Sequence, residues 1–158
     1  MRRVALRPVE IADLDAIFDQ MRDRESVHMA AFTAEDPNDR SAFDAHMEAI
    51  MSSSENRIWA ITADSRFVGT IASYVSEGVT EVTYWIDRTR WGQGIATRAL
   101  GLLLEEETPD RPIRARAASD NPGSLRVLDK AGFHPIATEV SFAPGRAAEI
   151  EETILELR

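Results

Sequence analysis

Apolar residues recur at helical spacing in four stretches of this chain and alternate with polar residues in most of the rest. Ile11, Leu14, Ile17, Phe18 and Met21 fall three or four apart and predict a helix of about three turns. Phe43, Met47, Ile50 and Met51 form a second stripe behind Asp39, a residue suited to cap a helix, and Ser52-Ser53-Ser54 ends it. Between them, Asp23 to Asp36 has no clear period and reads as a loop or a broken helix. A third helix is predicted from Gly94 to Glu107, with Ala96, Leu100, Leu103 and Leu104 on one face. A fourth runs from Pro122 to Ala131, capped by Asn121 or Asp120 and stopped at Gly132.

The remaining segments read as strands. Val4 to Leu6 is a short one. Arg57 to Thr62, Phe67 to Val75 and Val79 to Asp87 follow one another across turns at Asp64-Ser65 and Glu77-Gly78, which predicts an antiparallel meander. After a turn marked by Pro109 and Pro112 comes a strand from Ile113 to Ala118. His134 to Phe142 and Glu149 to Leu157 complete the chain. The element order is β-α-α-β-β-β-α-β-α-β-β. The crossover from strand 79–87 through helix 94–107 to strand 113–118 is expected to be parallel and right-handed. The fold class is therefore α+β, a mixed and mostly antiparallel sheet with helices on both faces. No repeat, low-complexity segment or linker interrupts it, so residues 1–158 read as a single domain.

Composition narrows the chemistry. At 44% hydrophobic and 28% charged residues the chain is ordinary for a soluble domain, and no run approaches the roughly 18 apolar residues of a membrane span. Its opening, Met1-Arg2-Arg3-Val4-Ala5-Leu6-Arg7-Pro8, is basic but lacks the apolar centre of a signal peptide, so a cytoplasmic location is expected. The absence of cysteine removes disulfides, thiolate metal sites and a cysteine nucleophile. The histidines, His28, His46 and His134, are scattered without ligand spacing, so no metal is expected. A net charge of −9 repels nucleic acid and gives a mild bias toward cationic substrates, or serves solubility alone.

The informative stretch runs from strand to helix: Tyr84-Trp85-Ile86-Asp87-Arg88-Thr89-Arg90-Trp91-Gly92-Gln93-Gly94-Ile95-Ala96-Thr97. Gly92 and Gly94 permit close backbone approach, and the free amides of the first helical turn favour an anion such as a pyrophosphate. A turn that merely needs glycine reads the same way. The stretch lacks the third glycine of a dinucleotide fingerprint and the Gly-Lys-Ser/Thr of a P-loop, which argues against a nucleotide hydrolase.

A second segment changes the balance: Asn121-Pro122-Gly123-Ser124-Leu125-Arg126-Val127-Leu128-Asp129-Lys130-Ala131-Gly132-Phe133. With it the chain resembles the GNAT superfamily of acetyl-CoA-dependent N-acetyltransferases. Its Trp-Gly-Gln-Gly-Ile-Ala and Asn-x-x-Ser-x-x-Val-Leu are similar to the branch that acetylates ribosomal-protein N-termini. The opening Leu6-Arg7-Pro8 before a helix is also similar. The resemblance implies acetyl-CoA as cosubstrate. It implies a pyrophosphate site on Trp91, Gly92, Gln93, Gly94, Ile95, Ala96 and Thr97, and backbone contacts at Trp85 and Ile86 to the thioester carbonyl and pantetheine. Asn121 and Ser124 would lie beside the pantetheine and sulfur, and Lys130 with Arg126 near the nucleotide phosphates. Two departures stand out. Trp91 replaces the family's Gln or Arg, and Leu128 stands where many members carry a tyrosine that protonates the departing thiolate.

An amine attacks a thioester only after losing a proton, so the site needs a base. Glu81, on the strand face shared with Val79, Thr83 and Trp85, is the candidate, directly or through water. A solvated charge on a sheet face is the plainer reading. Tyr84 reads more readily as core than as catalyst. Asn121 and Ser124 are read as catalytic on the resemblance and as helix caps without it. The acceptor is an amine on a small molecule or a protein N-terminus, its pocket placed by analogy near His28, Phe32 and His46. No nucleic-acid or membrane partner is expected, and the protein is expected to be a monomer or homodimer. A domain of this fold that binds acetyl-CoA without catalysis is the alternative, and thiol release in the presence of mixed amines separates the two.

Overall fold

The computed structural model describes residues 3–107 and 109–158. Its strands are β1 (Val4–Pro8), β2 (Arg57–Ala63), β3 (Arg66–Ser76), β4 (Val79–Ile86), β5 (Ile113–Ala118), β6 (His134–Ala143) and β7 (Ala148–Leu157). They form one seven-stranded sheet in the order β1-β2-β3-β4-β5-β7-β6. Every neighbouring pair is antiparallel except β4 with β5. The helices are α1 (Leu14–Met21), α2 (Arg24–Ala30), α3 (Arg40–Ser52), α4 (Ile95–Leu102) and α5 (Pro122–Lys130).

The helices divide between the two faces because β2 alternates. Ile58 and Ala60 pack with Ile17, Met47 and Phe43 of α1 and α3, whereas Trp59 and Ile61 pack with Ala99, Leu100 and Leu128 of α4 and α5. The second cluster is the larger and holds the fully buried Phe133, Leu103, Ile71 and Ile113.

Three local readings change in the structure. Asp23 to Asp36 contains α2, capped by the Asp23 carboxylate accepting from the Ser26 amide at 3.1 Å. Ile11 is 80% exposed: it belongs to a 3-10 turn, Ile11–Asp13, whose tighter winding takes it off the apolar stripe of α1. The helix predicted to Glu107 is α-helical only to Leu102 and widens to π-helical winding over Leu103–Glu107.

The parallel pairing of β4 and β5 is short. Thr80 pairs with Ile113 and Glu81 with Arg114, and the ladder ends there. β4 continues to Ile86 against β3, and β5 continues to Ala118 against β7. The two central strands therefore part, leaving the β5-facing backbone edge of residues 82–86 without a strand partner.

The β6–β7 hairpin closes one side of this opening. At its tip the Gly145 amide donates to the Ala31 carbonyl at 2.7 Å, and Arg146 makes paired bonds to Asp120 at 2.7 and 2.8 Å. Arg146 Nε also donates to the His28 carbonyl. The tip thus ties α2 to the loop that starts α5. A side chain at Gly145 would drive Cβ into the Val27 carbonyl oxygen and place it 2.9 Å from that of Ala31, both backbone atoms that cannot swing away. Gly145→Ala is therefore expected to cost about 2–3 kcal/mol by forced displacement of the tip, read as a lowered denaturation midpoint in urea.

Candidate active site

The parted strands open into a cleft of about 580 Å³. One wall comes from α2 through Ser26, Met29 and Ala30, with Phe32 beyond. The opposite wall comes from the glycine turn and the start of α5, and the edge of β4 lies between. The stretch of β4 from Val82 to Ile86 lines it throughout, which is possible only because β5 has peeled away.

At one end lies the turn before α4. Gly92 and Gly94 have φ of +76° and +78°, and Gly94 is the N-cap of α4 in left-handed conformation. A Cβ at either glycine would meet nothing within 4 Å, so both backbones face open space. α4 has no side-chain cap, which leaves the amides of Ile95, Ala96 and Thr97 free at the positive end of the helix. Trp91 holds the turn against the strand: its indole N–H donates to the Ile86 carbonyl at 3.0 Å, while the ring is 42% exposed at the cleft. Trp85 does the same on the α1 side, donating from Nε1 to the Gln20 carbonyl at 3.1 Å. Gln93 is exposed and lies outside the cleft lining. Arg90, Arg126 and Lys130 add positive charge to this end. The left-handed glycines, free amides and these cations fit a diphosphate group.

In the middle lies the start of α5. Asn121 is its N-cap, with Oδ1 accepting from the Ser124 amide at 3.2 Å and Nδ2 donating to the Met29 carbonyl at 3.5 Å. Ser124 is no cap. Its hydroxyl lies 2.8 Å from Tyr84 Oη, a contact in which either oxygen can donate, and the single phenol hydrogen has the Ser124 carbonyl, at 3.3 Å, as its other acceptor. Burial pushes the Tyr84 phenol above its ordinary value, against the pull of Ser124, so it is a neutral O–H at neutral pH. Leu128, one turn on, is fully buried in the core.

At the far end lies a charged cluster around Arg116. Its guanidinium reaches Glu139 at 3.0 Å, Glu81 at 3.2 Å and Glu152 at 3.3 Å. Burial works to lower the Arg116 pKa, but the hydrogen bonds with Glu139 and Glu152 raise it above its ordinary value, so it stays charged. Glu81 and Glu152 are both buried beside Arg116, and of the two only Glu152 lines the cleft. Burial pushes the Glu152 carboxyl above the usual carboxylate range despite the pull of Arg116. Nearby Tyr74, also in the lining, is raised by burial and by the Glu81 charge.

The structure thus brings together Trp85, Ile86, Trp91, Gly92, Gly94, Ile95, Ala96, Thr97, Asn121, Ser124 and Lys130 around one cleft. It sets Glu81 behind the lining and Gln93 beyond it. Phe32 reaches the cleft, and His28 and His46 are exposed and outside it. Sequence reasoning missed α2, Tyr74, Arg116 and Glu152. Arg114 and Arg116 alternate along β5 and carried a strand-face signal, but only the fold shows which carboxylates they meet.

The comparisons with known proteins agree with this geometry. A family model for the acetyltransferase (GNAT) domain matches residues 3–134. The chain belongs to that family, and it is an acyltransferase. YjcK of Bacillus subtilis (strain 168), described as a probable N-acetyltransferase, is 26% identical, the match covering 84% of this chain and 81% of the relative. Among solved structures, RimJ of Mycobacterium smegmatis in complex with CoA-disulfide superposes with a TM-score of 0.80 at 22% identity, covering 98% of this chain and 81% of that one. The ribosomal-protein-alanine N-acetyltransferase of Brucella melitensis also gives 0.80, at 18% identity over 97% of this chain and 98% of the other. These structural likenesses establish the fold, including the mixed sheet with its single parallel pair. Among the described residues no helix is long and apolar enough to cross a membrane.

Proposed function

We propose that the protein transfers an acetyl group from acetyl-CoA to an amine, on a small molecule or a protein N-terminus, in the cytoplasm. The observation that carries this reading is the parting of β4 and β5 between a left-handed glycine turn and the Ser124 hydroxyl. Acetyl-CoA supplies the acetyl group as an activated thioester. The amides of residues 95–97, with Arg90, Arg126 and Lys130, hold its phosphates. The open edge of residues 82–86 offers backbone partners to the pantetheine arm and thioester carbonyl. Asn121 positions the arm or the amine, and Ser124 faces the sulfur.

Of the predicted and observed carboxylates, Glu152 is the one in the cleft wall. It accepts the amine's proton, directly or through water, while Glu81 balances Arg116 behind it. A carboxyl raised by burial suits a base working near neutral pH. Because the carboxylate form is the active one, kcat/KM rises with pH through the carboxyl pKa and then levels.

The test is a panel of amines, from peptides with free N-termini to polyamines and amino acids, incubated with acetyl-CoA and followed by thiol release. At least one amine is expected to release CoA above the hydrolytic background, and none doing so would overturn the reading. With that amine, Glu152→Gln is expected to lower kcat about a hundredfold and remove the acidic limb. Glu81→Gln is expected to keep the limb. The opposite pattern would return the role of base to Glu81.

A further inference from the structure

We infer that Tyr84 stands behind Ser124 as the proton source for the departing sulfur, so that the two hydroxyls act as one donor. This rests on the reading of the cleft as an acetyl-CoA site. The starting point is a chemical shortage. Leu128 offers no donor at the sulfur end of the cleft, and the chain contains no cysteine. A serine hydroxyl alone is too weak an acid to give up its proton to a thiolate, because the alkoxide left behind is far more basic than the sulfur.

The geometry removes the difficulty. A serine hydroxyl carries one hydrogen and accepts at its lone pairs. When Ser124 O–H is aimed into the cleft, the 2.8 Å contact to Tyr84 Oη is a hydrogen bond only if the phenol is the donor. The contact to the Ser124 carbonyl, at 3.3 Å, is the weaker alternative for the same proton. Tyr84 sits on β4 at the parting of the strands, half-buried and lining the cleft, so its position is set by the core rather than by a loop. As the bond between acetyl carbon and amine nitrogen forms and the carbon–sulfur bond breaks, the amine's proton leaves to Glu152 or water. The sulfur takes the Ser124 proton, and the Tyr84 proton moves to Ser124. The charge then rests on a phenolate, which even with the phenol raised by burial is a far weaker base than an alkoxide. Solvent returns the last proton.

The direct test needs no acceptor. Affinity for CoA and for desulfo-CoA, which lacks the thiol, is measured by calorimetry from about pH 7 to about pH 9.5, a range over which a thiolate-stabilising site draws the bound thiol into ionisation. Dividing one affinity by the other cancels the titration of groups that hold the shared part of the two compounds, and the field of Arg90, Arg116, Arg126, Lys130 and Glu152 on the thiol itself is the same in the parent and in Tyr84→Phe, so the difference between those two proteins isolates the phenol. In the parent the hydroxyl pair favours thiolate, so the ratio is expected to rise about tenfold, equivalent to one pKa unit. Tyr84→Phe is expected to flatten the rise, and Ser124→Ala to abolish it. A Tyr84→Phe protein with the parent's pH dependence would overturn the inference. So would a flat ratio in the parent. No affinity for either compound would instead overturn the acetyl-CoA reading, and this inference with it. In turnover, Tyr84→Phe is expected to lower kcat about tenfold at unchanged KM for acetyl-CoA, and the double variant to be no slower than Ser124→Ala alone. Additive losses would mean that the two residues act separately.

Discussion

Replacing Gly94 by valine is expected to weaken acetyl-CoA binding about a hundredfold, or ~2.7 kcal/mol, while the protein still folds. Gly94 caps α4 at φ +78°, where a β-branched residue is strongly disfavoured. The strain alone costs about 1–3 kcal/mol and is relieved by rotating the turn. That rotation moves the amides of Ile95, Ala96 and Thr97, which form the proposed anion site. The side chain adds a second penalty. Nothing in the protein lies within 4 Å of the Cβ position, so the new atoms project into the space the phosphates need rather than into the core. The two contributions are separable. Gly94→Ala keeps most of the strain and little of the bulk, so its affinity should fall between parent and valine variant. Calorimetric titration with acetyl-CoA measures both, and an unchanged affinity in the valine variant would show that the turn is only a turn.

Ser124→Ala is expected to lower kcat about a hundredfold and leave acetyl-CoA affinity nearly intact. Helix capping would have predicted another result, a stability loss of about 1 kcal/mol with normal turnover. The structure assigns the cap to Asn121, whose Oδ1 accepts from the Ser124 backbone amide, a bond that survives the change to alanine. What alanine removes is the hydroxyl that meets Tyr84, one hydrogen bond worth about 1 kcal/mol. Both readings lower stability by a similar amount, so kcat, measured on a variant whose melting curve shows it folded, decides the matter. A lowered melting temperature with parent turnover would remove Ser124 from the chemistry. Asn121→Ala is the complementary case: there the loss of the cap should appear in stability.

Much of the fold was legible because it rests on short-range periodicity. The meander of β2, β3 and β4 announces itself through alternation and two tight turns, and Asp64, Ser65, Glu77 and Gly78 take the positive φ values those turns need. The stripes of α1, α3 and α4 are legible for the same reason. α2 was not. Its seven residues, Arg-Glu-Ser-Val-His-Met-Ala, are too few for a period to emerge, and it is held by the Asp23 cap and by the hairpin tip at Gly145 and Arg146. The hairpin-tip contacts cross more than a hundred residues of sequence.

The candidate site divides in the same way. The glycine turn, the free amides behind Gly94, and Asn121 with Ser124 at the head of α5 are local features, set by residues within one turn of each other. The sequence by itself therefore determined the family, the glycine turn and the helix head that the proposed anion site uses. The grounds for proposing a base and a proton source come only from the tertiary structure. Glu81 and Glu152 are both acidic residues on strands, and nothing near either one in the chain distinguishes them. Arg116, brought from β5, pairs with both, and only Glu152 reaches the cleft wall. Tyr84 and Ser124 lie 40 residues apart and meet because β4 and β5 part after Glu81, letting the head of α5 drop onto the open strand. Local propensity sets which backbone groups are free. The packing of distant elements sets which side chains share a dielectric and a proton.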